Sequence, residues 1–278
     1  MRWRPLVRSR SGLVGIAVVV GYLGMAALAP ALAPGDPLTQ NLRAALRPPG
    51  ETGYILGADE LGRDVLSRII YASRISLAVA GAAVAFGVLL GIPLGLVSGF
   101  YGRRIDSLVM RVSDILMAVP RILLAIATVA IYGTGFWSLV VAIGFPDVPE
   151  FARIARASTM AIRRMDYVSA AQALGNSDWR IMLRHILPNL MGPLTVQATF
   201  SMAASILTAG ALSFLGLGIQ PPTPEWGAML AQARSYMRVA SHMTTYPGIA
   251  LAVLVLGINL LGDALRQAFD PRFRGRDY

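Results

Sequence analysis

The side chains that most often carry out reactions are nearly missing from this 278-residue chain. It has no cysteine, which excludes disulfides, thiolate catalysis and Cys-based metal sites. All 25 basic residues are arginine, so a phosphate loop that needs a lysine on the β/γ-phosphates cannot form. The two histidines, His185 and His242, fall in polar segments on opposite faces of the arrangement predicted below, and no His cluster exists to hold a metal. No Ser/His/Asp group or paired carboxylate comes together either. The expectation is therefore no catalytic residue, no metal and no cofactor in this chain, and any energy must come from elsewhere.

What the chain does offer is recognition chemistry. Tyr167 to Asn189 is polar and basic, yet it lies between long apolar runs. Within it, Tyr167, Ala170, Ala171 and Leu174 recur at i, i+3, i+4 and i+7, a small apolar helical face, and Gly175 then ends the helix. Ser177 or Asn176 caps a second helix carrying Trp179, Ile181, Met182 and Ile186, which stops at Pro188. Such a helix pair suits docking against another protein.

The elements that must position this segment are membrane spans. Apolar residues make up 55% of the chain and charged residues 14%, with a mean hydropathy of +0.58, which a soluble domain of this length rarely shows. Gly12 to Gly35 holds no ionisable residue and exceeds the roughly 20 residues that cross the hydrocarbon, so it reads as an uncleaved first span. Ile75 to Gly102, Leu190 to Leu217 and Tyr246 to Gly262 follow as further spans, and within Ile105 to Tyr132 a span begins just past Asp106, Arg111 and Asp114. Gly135 to Ile154 is weaker, because Pro146, Asp147, Pro149 and Glu150 interrupt it.

Charge parity decides the count. Arg2, Arg4, Arg8 and Arg10 at one end, and Arg266, Arg272, Arg274 and Arg276 at the other, put both tails in the cytoplasm. An even number of crossings is then required, which makes Gly135 to Ile154 the sixth span. The organisation expected is a cytoplasmic tail at 1–11, a first helix at 12–35, an extracytoplasmic segment at 36–74, a five-span unit at 75–268 and a cytoplasmic tail at 269–278. The cytoplasmic docking loop covers 155–189, and 218–245 faces outward. The fold class is an all-α, polytopic integral membrane protein with six transmembrane helices.

Gly87, Gly91, Gly95 and Gly99 recur every four residues, and Ser201, Ser205, Ala209 and Ser213 form a similar strip. Both predict close helix approach within the subunit, with a lined path as the other reading. The predicted span centres hold no Asp, Glu, Arg or His, which argues against an ion-coupled secondary transporter. Tyr54 to Leu77 reads as an interfacial helix, with Val65, Leu66, Ile69 and Ile70 on one side and Arg63, Arg68 and Arg74 elsewhere. Ser213 to Tyr236 combines LGLG with Pro221, Pro222 and Pro224 and can fold back over the outer mouth, with Trp226 at the headgroup level.

Leu56 to Asp64 (LGADELGRD) with Ser67-Arg68, then Ser169-Ala170-Ala171, Gly175 and Leu187-Pro188, closely resemble permease subunits of bacterial ABC importers for dipeptides, oligopeptides and nickel. The match continues through LSFLGLGIQPPTPEWG at Leu212 to Gly227 and GDALRQAFDPR at Gly262 to Arg272, nearly the whole chain. Ser169 stands where the general docking motif is acidic, His185 where it has Ile, and Ala58 where Thr is usual; His185-Ile-Leu-Pro-Asn is a form the peptide branch often has. The resemblance implies a type I ABC importer permease fold in the bacterial inner membrane. It implies a second homologous permease, two cytoplasmic ATPases that bind ATP and Mg, and an extracytoplasmic peptide-binding protein as partners, with no nucleic acid. It also implies docking through Tyr167, Ser169, Ala170, Ala171, Leu174, Gly175, His185, Leu187 and Pro188. Gly62, Arg63, Asp64, Pro221, Pro222, Glu225 and Trp226 are expected at the extracytoplasmic contact. Peptide is the expected cargo, with nickel or glutathione as the alternative.

Overall fold

A computed structural model describes residues 9–51 and 53–269, and among these the chain is helical, with only isolated bridging pairs of extended residues. The tail arginines Arg2, Arg4, Arg8, Arg272, Arg274 and Arg276 lie outside the described residues. Helix α1 (Arg10–Ala27) starts at Ser9, whose hydroxyl accepts the Gly12 N–H at 3.0 Å. Its apolar run continues to 35, but Pro30 re-starts the chain as a separate turn, Ala29–Leu32.

Helix α2 (Val65–Tyr101) runs for 37 residues, about 55 Å at 1.5 Å per residue. Asp64 caps it by accepting from the Ser67 N–H at 2.7 Å. No breaker separates 65–74 from 75–101, so the separate interfacial helix predicted over Tyr54 to Leu77 does not form; those residues are the first turns of α2. Arg68, expected on a polar face, is buried.

Helices α3 (Arg103–Ala118) and α4 (Arg121–Tyr132) meet at a 91° bend. Pro120 supplies no N–H and forces Val119 into an extended backbone (φ −90°, ψ 130°), so the apolar run from Ile105 to Tyr132 is not one straight span. Helix α5 (Phe136–Gly144), a 3₁₀ turn at Phe145–Asp147 and α6 (Val148–Arg163) keep helical backbone angles throughout and form one rod. The predicted sixth span thus extends well into what was expected to be the loop at 155–189.

Helices α7 (Asp166–Ala173) and α8 (Asp178–Ile181) form the following hairpin. From α8 a π turn at Met182–Ile186 leads directly into α9 (Leu187–Phe214), so Pro188 does not stop the helix as predicted. The wide turn just before it gives the proline ring room that a regular α-helix lacks. Helix α10 (Trp226–Ala233) and helix α11 (His242–Phe269) complete the chain. Among the described residues, four helical stretches are long and apolar enough to span a bilayer, and five if the bent α3–α4 pair counts as one.

Two of the apolar clusters sit towards opposite ends of α2. Val65, Ile69, Trp226, Met229, Leu254 and Ile258 bring α2, α10 and α11 together on one side. Phe100, Phe151, Ile162, Val168, Ile181 and Ile186 join α2, α6, α7 and α8 on the other. Between them runs a glycine seam. A methyl group on Gly87, Gly91, Gly95 or Gly99 would come within 2.8 Å of Asp147, Phe151, Ala155 or Thr159 respectively, so α2 and α6 touch almost backbone to backbone.

Candidate functional site

The hairpin α7–α8 is built by its turn. Gly175 has φ +77°, a left-handed backbone that costs a side chain about 1 kcal/mol, and its N–H donates to Gln172 O at 2.9 Å. Asn176 closes the helix twice, donating its backbone N–H at 3.2 Å and its side-chain Nδ2 at 3.0 Å to Ala171 O. Its side chain thus ends the first helix and does not cap the second. Ser177 occupies the cap position of α8 without a side-chain bond.

The predicted docking face divides. Val168 and Ala171 turn inward and pack with Ile181, Met182 and Ile186, so Ala171, only 6% exposed, cannot meet a partner directly. The expected single face through Tyr167, Ala170, Ala171 and Leu174 is therefore split, because the helix is turned so that Val168 and Ala171 point inward. Tyr167, Ser169, Ala170, Leu174, Gly175 and Pro188 are exposed, while His185 and Leu187 are half-buried. Leu174 is 83% and Trp179 61% exposed, the two large apolar side chains that stand furthest from the hairpin. Tyr167 Oη accepts from Asn189 Nδ2 at 3.3 Å, which ties α7 to the start of α9.

The outer segment is locked by charge. Asp59 Oδ1 accepts the N–H groups of Leu61 and Arg63 at 2.9 Å each, and Oδ2 takes Arg63 Nε at 2.6 Å and Arg68 Nε at 3.4 Å. Arg63 also reaches Glu60 at 3.0 Å. Gly62 (φ +71°) passes so close to the Asn41 carbonyl that no side chain fits. Gly62 and Arg63 were expected as extracytoplasmic contacts; both are buried, and their role here is internal.

The same correction holds for Glu225 and Trp226. Glu225 caps α10 by accepting from Gly227 and Ala228 N–H at 3.0 and 2.9 Å, and Ser76 Oγ lies 3.4 Å away. Burial pushes the Glu225 carboxyl above its ordinary range, against the downward pull of those two N–H groups. Trp226 is fully buried, donates Nε1–H to Ile69 O at 3.2 Å and meets Tyr22 edge-on, so it anchors α10 to α1 and α2 and does not reach a headgroup layer. Pro221 and Pro222 are exposed, and Asp64 is half-buried as the cap of α2. His242 Nε2–H donates to Ala58 O at 3.0 Å, which fastens the outer segment to α11.

Ser201, Ser205, Ala209 and Ser213 are all buried along α9. One charged cluster contradicts the expectation of ion-free span centres. Arg121, the first residue of α4, pairs with Asp147 in the 3₁₀ turn and with Glu150 of α6, the latter at 3.0 Å. Glu150 Oε2 also accepts from Gln197 Nε2 of α9 at 2.9 Å. Three segments far apart in sequence meet here, and no motif marks the meeting; the only sequence signal was the set of polar interruptions in the 135–154 run.

Comparison with known proteins places this geometry. Residues 91–275 match the family described as binding-protein-dependent transport system inner membrane component, and residues 1–49 match the N-terminal TM domain of oligopeptide transport permease C. The di/tripeptide transport system permease protein DppC of Pseudomonas aeruginosa is 43% identical, with 98% of this chain and 91% of the relative aligned. The glutathione transport system permease protein GsiD of Pectobacterium atrosepticum is 42% identical over 98% and 90%. In structure, the chain resembles the MetNI methionine ABC transporter in inward facing conformations, with a TM-score of 0.58 and 20% identity over 73% of this chain and 96% of that one, a likeness of fold. The chain therefore belongs to the binding-protein-dependent transport system inner membrane components, and is a multi-pass permease subunit of an ABC importer.

Proposed function

We propose that this chain forms half of the transmembrane path of an ATP-driven importer of di- or oligopeptides. The observation that carries the cargo class is the near-full-length similarity to a di/tripeptide permease. A glutathione cargo is the second reading, favoured by the 42% identity to a glutathione permease. A second homologous permease supplies the other half, an extracytoplasmic binding protein delivers cargo, and two cytoplasmic ATPases bind ATP and Mg. The chain crosses the inner membrane six times, with both ends in the cytoplasm. The exposed Leu174, Trp179 and Tyr167 of the α7–α8 hairpin dock on an ATPase.

Gly175→Arg tests the docking. A Cβ at Gly175 meets nothing within 4 Å, so the substitution adds backbone strain of about 1 kcal/mol and a charge at the hairpin tip, but no clash in the core. The expected variant inserts at near wild-type abundance, still meets its binding protein, and loses ATPase co-purification and uptake. Normal uptake with normal ATPase association overturns the assignment of the hairpin.

A further inference from the structure

We propose that Asp147 and Glu150 form an intramembrane seat for a cationic nitrogen of the cargo, a primary ammonium or guanidinium, which the chain's own Arg121 occupies at rest. The proposal rests on reading the chain as half of a translocation path. Its first support is position. Asp147 faces Gly87 of α2, and Gln197, bonded to Glu150, lies on the continuous 178–214 helix, so the cluster is packed against two of the stretches that are long and apolar enough to cross a bilayer. Ionisable groups held among such helices face protein or a water-filled cavity rather than lipid, and commonly mark the route of a charged solute.

The second support is an imbalance. Two carboxylates face one guanidinium, and Asp147 Oδ2, fully buried, has no hydrogen-bond partner. A buried carboxylate oxygen without a donor is costly, and the surrounding charge is net negative, so the vacancy suits an N–H donor that carries positive charge. The third support is access. Arg121 is 44% and Glu150 28% exposed in their side chains, so the cluster opens to the surface of the single chain, with Asp147 fully buried behind them. Gln197 extends the polar wall: it also lines a cavity of about 470 Å³ shared with Ile154, Phe200 and Arg266.

The arrangement works as a displaceable internal ligand. Arg121 pairs with both acids when no cargo is present, which leaves a single negative charge in excess and Asp147 Oδ2 without a donor. An incoming ammonium replaces its hydrogen bonds to Glu150 and supplies the missing donor to Asp147.

The seat predicts opposite effects for the two sides of the pair, whereas a purely structural ion pair predicts equal ones. The chain, co-purified with its partner subunits in lipid nanodiscs, is titrated with dialanine amide, which carries one ammonium and no carboxylate. N-acetyl-dialanine amide is the uncharged control. The wild type is expected to bind the cation and not the control. Glu150→Gln is expected to weaken cation binding about tenfold, and Arg121→Gln to strengthen it about tenfold, with gel filtration confirming that both variants are folded. Loss of binding in both variants alike, equal binding of the acetylated control, or no binding to any form overturns the seat. Uptake of dialanine by wild-type vesicles reports separately on the peptide reading, so the two can fail independently.

Discussion

The two charged clusters of this permease use the same residue types and reach opposite ends. Before α2, Asp59 and Glu60 meet Arg63 and Arg68, the charges balance, and Arg63, Arg68 and Asp59 are all buried. Between α4 and α6, Arg121 meets Asp147 and Glu150, the count is one negative in excess, and Arg121 and Glu150 keep part of their side chains exposed. A closed, neutral cluster can only hold its segment together. An open, unbalanced one retains the capacity to exchange a partner. Burial and charge balance, more than residue identity, separate architecture from recognition here.

The largest expected effect comes from breaking the closed cluster. Arg63→Met breaks the shorter of the two buried ion pairs of Asp59, leaving only Arg68 at 3.4 Å to offset its charge, and should cost about 3–5 kcal/mol, seen as loss of the protein from the membrane. If abundance and melting stay at wild-type values, the outer cluster is not the lock described above. Arg121→Met sharpens the contrast. Removal of a half-exposed guanidinium should cost about 1–3 kcal/mol, and added dialanine amide should recover part of that loss in a melting experiment. No such recovery is expected for Arg63→Met, and equal behaviour of the two variants would erase the distinction.

Glu225 gives the smallest effect and a sign. Because burial raises its carboxyl above the ordinary 4.5, the protonated form is favoured in the fold. Its contribution is then complete below 4.5 and is lost as the pH rises through the elevated value. Melting midpoints should fall from pH 5 to pH 8 more in the wild type than in Glu225→Gln, which cannot ionise. A steeper fall in the variant would reverse the assignment.

Much of the architecture was legible in the sequence because hydrophobic runs and glycine spacing are local signals. The family, too, was readable from contiguous motifs such as LGADELGRD and LSFLGLGIQPPTPEWG. What escaped depends on geometry that no window contains. Val119-Pro120 stood in plain view, but the apolar residues on either side hid a 91° bend. Pro188 reads as a terminator until the π turn before it makes room. Arg68 and Trp226 have amphipathic side chains that periodicity assigns to a surface, yet tertiary packing draws them inside, where Trp226 donates to Ile69 O and Arg68 reaches Gln232 and Asp59. Arg121, Asp147, Glu150 and Gln197 share no motif because four separate elements bring them together.

The glycine seam between α2 and α6 has a mechanical consequence. With bare backbone at Gly87, Gly91, Gly95 and Gly99 seated against Asp147, Phe151, Ala155 and Thr159, the two helices mesh like a rack and its teeth. A shift of less than one tooth drives side chains into backbone, and one tooth is four residues, about 6 Å. Axial slack is therefore absent. Arg163, the last residue of α6, is clamped to the Phe100 carbonyl near the end of α2, just before α7 begins at Asp166. The hairpin, α6 and α2 are thus joined in series by the Arg163–Phe100 clamp and the glycine seam, an arrangement built to move as one stiff bar and not by sliding between two.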